Sequence, residues 1–350
     1  MKILIIGNMG YIGPIIVNHL RTTLPGCQLI GFDTGFFAGC LIEPGTYPET
    51  LLDQQWIGDV RRFPSELLSG AHAVVQLAAI SNDPMGNAFE APTMQINCDS
   101  AVEIARMAKA AGVSNFVFAS SCSVYGAGGD GAKSERSDLA PQTAYARSKI
   151  NAERRLEELA TDGFRVTCLR FATACGWSPR LRLDLVLNDF VASAVTSAKI
   201  TILSDGSPWR PLIHVRDMAR AIEWACFRQV SDGGQNVVVN AGADEWNYQV
   251  KDLARAVGEQ IGGVEISINS SAAPDRRSYR VDFALFRRLA PRHQPRVTVA
   301  EAVGELGDGL RRSRFSDPEF RQSRWIRLRV LSDLVATNRL DSGLFRVTGA

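Results

Sequence analysis

The chain has 350 residues, 45% of them hydrophobic and 22% charged, with a formal net charge of +2 and a pI of about 8.2. That describes an ordinary globular protein of one large or two small domains, and a charge so near balance gives no case for a nucleic-acid partner. Seven cysteines and four histidines are scattered without a CxxC pair or a metal-ligand spacing, so no metal site is expected and the thiols read as reduced, as in a cytoplasmic protein.

Met1 to Ile6 is a short apolar strand that runs straight into Gly7, without the long apolar region and cleavage site of a signal peptide. No apolar run approaches the length of a membrane span. The periodicity then predicts a helix over Tyr11 to Leu24, a strand from Gln28 to Phe32 ending at Asp33, and another apolar run from Ala73 to Leu77. Met94 to Ala111 is helical by its apolar residues Ile96, Val102, Ile104, Ala105 and Met107. Asn115 to Ala119 reads as a strand, Tyr145 to Ala160 as a helix and Arg165 to Phe171 as a strand. Strands alternating with helices build parallel βαβ units, hence a doubly wound α/β sheet with helices on both faces.

The pattern changes after Ala172. Pro179 to Val186 is basic and irregular, and a helix follows to about Ser197. Lys199 to Leu203 is a strand and Ser204 to Pro208 a turn cluster. Asp217 to Arg228 and Gln249 to Ile261 read as helices, with Asn236 to Asn240 a buried strand between them. The C-terminal stretch is arginine-rich and amphipathic. Two closely packed lobes are expected, with the chain crossing between them more than once.

Gly7-Asn8-Met9-Gly10-Tyr11-Ile12-Gly13 follows a strand and opens a helix, which is the setting a dinucleotide-binding turn requires. Glycines permit the tight turn and let the backbone approach a pyrophosphate, and the helix N-terminus favours the anion. The spacing is GxxGxxG rather than GxGxxG. Asp33 closes the second strand twenty residues after Gly13. A carboxylate there accepts hydrogen bonds from the adenosine ribose hydroxyls and repels a 2′-phosphate, favouring NAD over NADP.

Tyr145-Ala146-Arg147-Ser148-Lys149 places tyrosine and lysine at i and i+4, on one face of a helix. An ammonium beside a phenol lowers the phenol's pKa and makes it a usable acid/base near neutral pH. Downstream of the glycine turn and Asp33, the pair points to redox chemistry on a bound nicotinamide. Read alone, Lys149 also suits a solvated i,i+4 pair with Glu153, Cys122 a small buried filler, and His214 a satisfied core residue.

The ordered set of GxxGxxG, Asp33, Gly58-Asp59-Val60, Leu77-Ala78-Ala79, Asn97, Ser120-Ser121-Cys122-Ser123-Val124-Tyr125-Gly126 and YxxxK resembles the extended short-chain dehydrogenase/reductases. Within these it is similar to the nucleotide-sugar epimerase/dehydratase group, over residues 1 to about 290. The resemblance implies a Rossmann-type doubly wound parallel sheet with a smaller C-terminal α/β substrate-binding lobe. Residues 1–171 plus about 213–242 would bind NAD, and about 172–212 plus 243–350 the nucleotide sugar. Gly7, Gly10, Tyr11, Ile12, Gly13 and Asp33 would form the cofactor turn. Asp59 and Val60 would hold the adenine, Ala78 and Ala79 would line the cofactor, and Asn97 would support the active-site helix. Ser121 would hydrogen-bond the reacting sugar hydroxyl. Tyr145 would be the catalytic base, with Lys149 binding the nicotinamide ribose and keeping Tyr145 ionised. Ser81, Cys122 and Thr173 would face the substrate, and Arg210 and Arg276 would grip its diphosphate through guanidinium forks.

Three reactions share this scaffold. In the resembling group a 4,6-dehydratase needs an acidic pair after the active-site serine, where this chain has Cys122 and Ser123, and decarboxylases place a glutamate where Ser123 stands. Epimerisation at C4 needs neither. The expectation is therefore an NAD-dependent nucleotide-sugar 4-epimerase. A 4-ketoreductase or dehydrogenase on the same residues is the alternative, followed by a dehydratase or a non-catalytic nucleotide sensor. The helices Met94 to Ala111 and Tyr145 to Ala160 each carry a second apolar stripe, and by resemblance they would pair in a four-helix homodimer contact.

Overall fold

The computed structural model describes residues 1–43, 47–126, 131–269, 271–272 and 278–347. The first half runs β1 (Lys2–Ile6), α1 (Gly13–Thr23), β2 (Gln28–Asp33), β3 (Gln54–Ile57), β4 (Ala73–Gln76), α2 (Asp83–Ala88), α3 (Glu90–Met94), α4 (Ala101–Ala110), β5 (Asn115–Ser121), β6 (Ala132–Lys133), α5 (Ala144–Glu157) and β7 (Arg165–Phe171). The second continues through β8 (Thr173–Cys175), α6 (Val186–Ser197), β9 (Lys199–Ile202), β10 (Trp209–His214), α7 (Val215–Phe227), β11 (Asn236–Ala241), β12 (Asn247–Gln249), α8 (Val250–Ile261), β13 (Glu265–Ile268), β14 (Arg280–Val281), α9 (Ala284–Leu289), α10 (Val299–Arg312) and α11 (Arg327–Ala336).

Seven strands form one parallel sheet in the order β11-β7-β5-β4-β1-β2-β3. Ile3, Leu4, Ile5 and Ile6 are fully buried, because a central parallel strand is covered on both faces. The strand order reverses between β1 and β4, and the crevice at that switch is where open α/β sheets bind ligands. β3 escaped the sequence reading because an edge strand of Gln54, Gln55, Trp56 and Ile57 carries no apolar run. The elements outside this sheet form smaller pairings: β12-β10-β8, β13-β9 and β14-β6.

The helix expected over Met94 to Ala111 is present, but it widens into a π-type turn over Gln95–Ser100. Such turns recur at functional sites, and this one carries Asn97. The apolar positions of this helix and of α5 are covered within the chain: Ile96, Ala101, Val102, Ile104, Ala105, Ala152 and Leu156 lie in the core beneath the sheet. The outward-facing charges pair between neighbouring helices, Arg147 with Glu90 and Arg155 with Asp99, both at 2.6 Å.

Downstream of α10 the chain returns to the seven-stranded sheet. Leu331, Leu340 and Leu344 are buried in the same core as Leu4, Ile6 and Phe32. Periodicity marked this stretch amphipathic, but not which core its apolar face joins. Among the described residues no helix is long and apolar enough to cross a membrane, and the seven cysteines are all free and buried.

Candidate active site

A cleft of about 1240 Å³ runs across the carboxyl ends of the sheet strands. Gly7, Gly10, Tyr11, Ile12, Gly13, Asp33, Val60, Ala78 and Ala79 line it at one end. The turn after β1 is packed backbone against backbone. A Cβ on Gly13 would stand 1.9 Å from the Asn8 carbonyl oxygen, and one on Gly7, at φ +90°, would stand 2.4 Å from the Ala78 nitrogen. α1 starts without a side-chain cap or an acid in its first turn, so no side chain of its own competes with an anion at this helix end. The residues present therefore fit a dinucleotide. Gly13→Ala should destabilise the fold by about 1–3 kcal/mol, because α1 must move off the turn. It should also weaken NADH binding in a fluorescence titration; an unchanged affinity would disconnect this turn from the cofactor.

Asp33 is fixed before any ligand arrives. One carboxylate oxygen accepts from Met9 N at 2.9 Å and the other from Gly35 N at 2.7 Å. Burial raises its pKa, and these two backbone bonds oppose the rise. Asp59, expected at the adenine, is engaged within its own turn. Its carboxylate caps the turn at Arg61 N and pairs with the Arg61 guanidinium at 2.6 Å, while Val60 faces the cleft. Asn97 is buried behind the wall. Its side chain accepts from Ile80 N at 2.8 Å and donates to Ile80 O and to Ser148 Oγ, each at 3.0 Å, tying α5 to the loop after β4.

Ser121, Tyr145 and Lys149 come together in the middle of the cleft. Thr143 sets the start of α5: its hydroxyl accepts from Ala146 N at 3.2 Å and donates to Asp83 Oδ1 at 2.7 Å. Tyr145 thus lies in the first turn, and Lys149 one turn deeper. The Tyr145 phenol is hydrogen-bonded to Ser121. Burial pushes the phenol up to about 12; the Ser121 bond and the Arg182 charge oppose this, and Asp83 adds to it. The expected lowering by Lys149 is absent from this arrangement. Lys149 Nζ donates to Ala119 O at 2.6 Å and stands 5.7 Å from the centre of the Tyr145 ring. Burial brings Lys149 itself down to about 8, against the field of Glu153.

The family model of the NAD dependent epimerase/dehydratase family matches residues 3–242. The chain belongs to that family. Its cofactor is accordingly NAD, and the glycine turn and Asp33 fit it. YtcB of Bacillus subtilis (strain 168), described as an uncharacterized UDP-glucose epimerase, is 27% identical over 236 residues, or 63% of this chain and 71% of its own length. A dTDP-glucose 4,6-dehydratase of Streptomyces griseus is 26% identical over 319 residues, or 88% of this chain and 91% of its own length. Among solved structures, MoeE5 in complex with UDP-glucuronic acid and NAD aligns with a TM-score of 0.75 at 25% identity, covering 89% of this chain and 100% of that one. The family thus holds nucleotide-sugar epimerases and dehydratases, and the residues at the substrate end must distinguish them.

At that end this epimerase/dehydratase family member presents Ser81, Thr173 and Arg210 to the cleft. Arg276 lies outside the described residues. Cys122 does not reach the cleft wall: it is buried, with Sγ 3.1 Å from Arg170 O. Sequence reasoning left Arg182 without a role and missed Asp184. The Arg182 guanidinium grips Asp184 through Nε at 2.8 Å and Nη2 at 2.9 Å, and donates from Nη1 to Ser81 Oγ at 2.9 Å. Burial pushes the Asp184 carboxyl up, but the Arg182 charge outweighs it and holds the group below the usual carboxylate range. No periodicity marks this pair, since both residues sit in the irregular loop before α6. His214 is a core residue, as expected: it is fully buried, and its Nδ1 accepts from Arg216 N at 3.2 Å.

A second buried network lies behind Ser121, Tyr145 and Lys149. Glu153 does not pair with Lys149; it accepts from the Ser120 hydroxyl and from Arg170, at 2.7 Å for the Nη2 bond. Arg170 continues to the Tyr125 hydroxyl at 3.1 Å, which donates to Asn240 Oδ1 at 2.6 Å. This chain joins α5 to β5, β7 and β11.

Proposed function

We propose that the protein is an NAD-dependent nucleotide-sugar 4-epimerase, acting through a transient 4-keto sugar with NAD tightly bound. The observation that carries this reading is that, among the described residues, the cleft pairs a tyrosine–serine couple with no spare carboxylic acid. Cys122 and Ser123 follow Ser121, so elimination of water across C5 and C6 lacks an acid and a base there. The cleft-lining carboxylates are engaged elsewhere: Asp33 by two backbone N–H groups, Asp83 by Thr143, Asp184 by Arg182 and Asp189 by Arg321.

Bound NAD supplies the hydride acceptor and, once reduced, the donor. Tyr145, as its phenolate, takes the proton of the C4 hydroxyl as the carbonyl forms, and returns it as the opposite face is reduced; the positive charge of oxidised nicotinamide would favour that ionised form against burial. Ser121 holds that hydroxyl beside the phenol. Ser81, Thr173, Arg182 and Arg210 border the space in which the ketone turns over. In this reading the sheet half holds NAD, and residues about 172–212 with those beyond 243 hold the nucleotide sugar.

NMR of the purified enzyme with NAD and a panel of nucleotide sugars in D₂O tests the proposal. A new epimer without deuterium on carbon is the expected result, because hydride leaves and returns internally. Deuterium on carbon would instead establish an enolising step and dehydratase-type chemistry. Reduction of a 4-keto sugar by NADH, with no epimer from any panel member, would replace the epimerase with a ketoreductase.

A further inference from the structure

Arg327 opens α11, beyond the residues 3–242 that the family model matches. It is 1% exposed, yet it lines the main cleft. Its guanidinium sits 5.1 Å over the ring of Phe37, four residues after Asp33. Three backbone carbonyls accept from it: Arg324 O at 3.1 Å from Nη1, and Arg180 O at 2.8 Å and Leu181 O at 3.0 Å from Nη2. Among the described residues its Nε has no hydrogen bond and no carboxylate stands within ion-pair distance.

The other buried arginines of the region differ. Arg170 is paired with Glu153, Arg180 with Glu49 and Arg182 with Asp184. Arg228 also lacks a carboxylate, but Nε, Nη1 and Nη2 are all hydrogen-bonded, and it lies away from the cleft. Arg327 combines an uncompensated cation, a free Nε and a place on the cleft wall. Burial brings it down to about 10, with the neighbouring Arg182 and Arg180 charges adding to the fall, while Asp184, itself paired with Arg182, opposes only part of it. α11 also starts without a side-chain cap or an acid in its first turn, so the helix end adds to the positive field.

We propose that Arg327 is an anion-binding residue of the cleft whose partner is a diphosphate. With Nη2 held by two carbonyls, the Nε–H and the remaining Nη1–H can each donate to a phosphate oxygen, and an anion there supplies counter-charge. Two ligands could bring that diphosphate, the dinucleotide cofactor and the nucleotide sugar. The cofactor arm rests on family membership, and the substrate arm rests on the nucleotide-sugar reading above.

Calorimetric titration of the full chain separates them. Wild type, Arg327→Gln and Arg327→Lys are titrated with ADP-ribose and AMP for the cofactor arm, and with UDP and UMP for the substrate arm. Each pair differs in the diphosphate, so the ratio of affinities reports that contact free of general destabilisation. In wild type the diphosphate should bind about ten-fold or more tightly than the monophosphate on one arm. Arg327→Gln should lower that ratio several-fold on one arm and leave the monophosphate unchanged, the glycine turn and Arg210 keeping the remainder. Arg327→Lys keeps the charge without the fork and should lose about three-fold or more; it decides the matter if the Gln variant does not fold. Ratios unchanged on both arms, or both members of a pair weakened equally, would overturn the proposal. Failure of UDP and UMP to bind at all would count against the nucleotide reading, and the cofactor arm would still decide Arg327.

Discussion

Tyr145→Phe should lower turnover about 10²–10⁴-fold, the range for losing a positioned proton-transfer group, and leave NADH binding unchanged. The substitution removes one oxygen from a buried ring whose phenol is hydrogen-bonded to Ser121. The ring, the α5 cap at Thr143 and the Lys149 position all remain. Initial rates with a nucleotide sugar and fluorescence titration with NADH would be measured side by side. A variant retaining most of its activity would place the proton elsewhere and remove Tyr145 from the chemistry. A variant retaining biological function without turnover would revive the reading as a nucleotide sensor. Ser121→Ala should show a smaller loss, since the phenol would keep the Arg182 field but lose its hydrogen bond.

Glu153→Gln should cost about 3–5 kcal/mol of stability in urea denaturation, because it leaves the Arg170 guanidinium buried and uncompensated. Glu153 and Arg170 are 5% and 6% exposed at the side chain, and the pair is closed at 2.7 Å. Replacing both residues by methionine should cost less than the sum of the single changes, as apolar substitutes for a buried pair often do. A surface-like loss below about 1 kcal/mol would show the pair to be solvent-screened.

The same change has a readout on the catalytic lysine. Glu153 supports the Lys149 proton, and Lys149 stands at about 8 in the folded protein against 10.5 for a freely solvated lysine. Between these values the unfolded chain binds the proton more tightly, so this residue's contribution to stability grows as pH rises through the window. Below about 8 both states are charged, and the cost of burying the ammonium is fully present. Removing the carboxylate should shift Lys149 further down, and the alkaline limb of the pH–rate profile should move to lower pH. A profile that stayed in place would confine Glu153 to a structural role.

Most of the central sheet was legible because its strands are continuous apolar runs bounded by glycine or aspartate. β7 matches its predicted limits, and β1, β2, β4, β5 and β11 match within one or two residues. β3 was not legible, since an edge strand covered on few sides needs no apolar pattern. Cys122 shows where a motif reading misplaces a side chain. Ser121 faces the cleft at the end of β5, and the next residue enters a 3₁₀ turn that buries its thiol on Arg170 O. Asp59 shows the same limit: its position after β3 was readable, whereas its capture by Arg61 two residues on was not.

By itself the sequence determined what local geometry dictates. The glycine turn, the aspartate closing β2 and the tyrosine–lysine pair one turn apart on α5 all follow from spacings that strands and helices impose. Only the tertiary structure decided which distant groups share the cleft. Arg182 reaches Ser81 across 101 positions, and Arg327 reaches Arg180 across 147. It also decided the electrostatics. Burial drives Tyr145 up and Lys149 down, because the cost of desolvating a charge depends on everything packed around it and not on its neighbours along the chain.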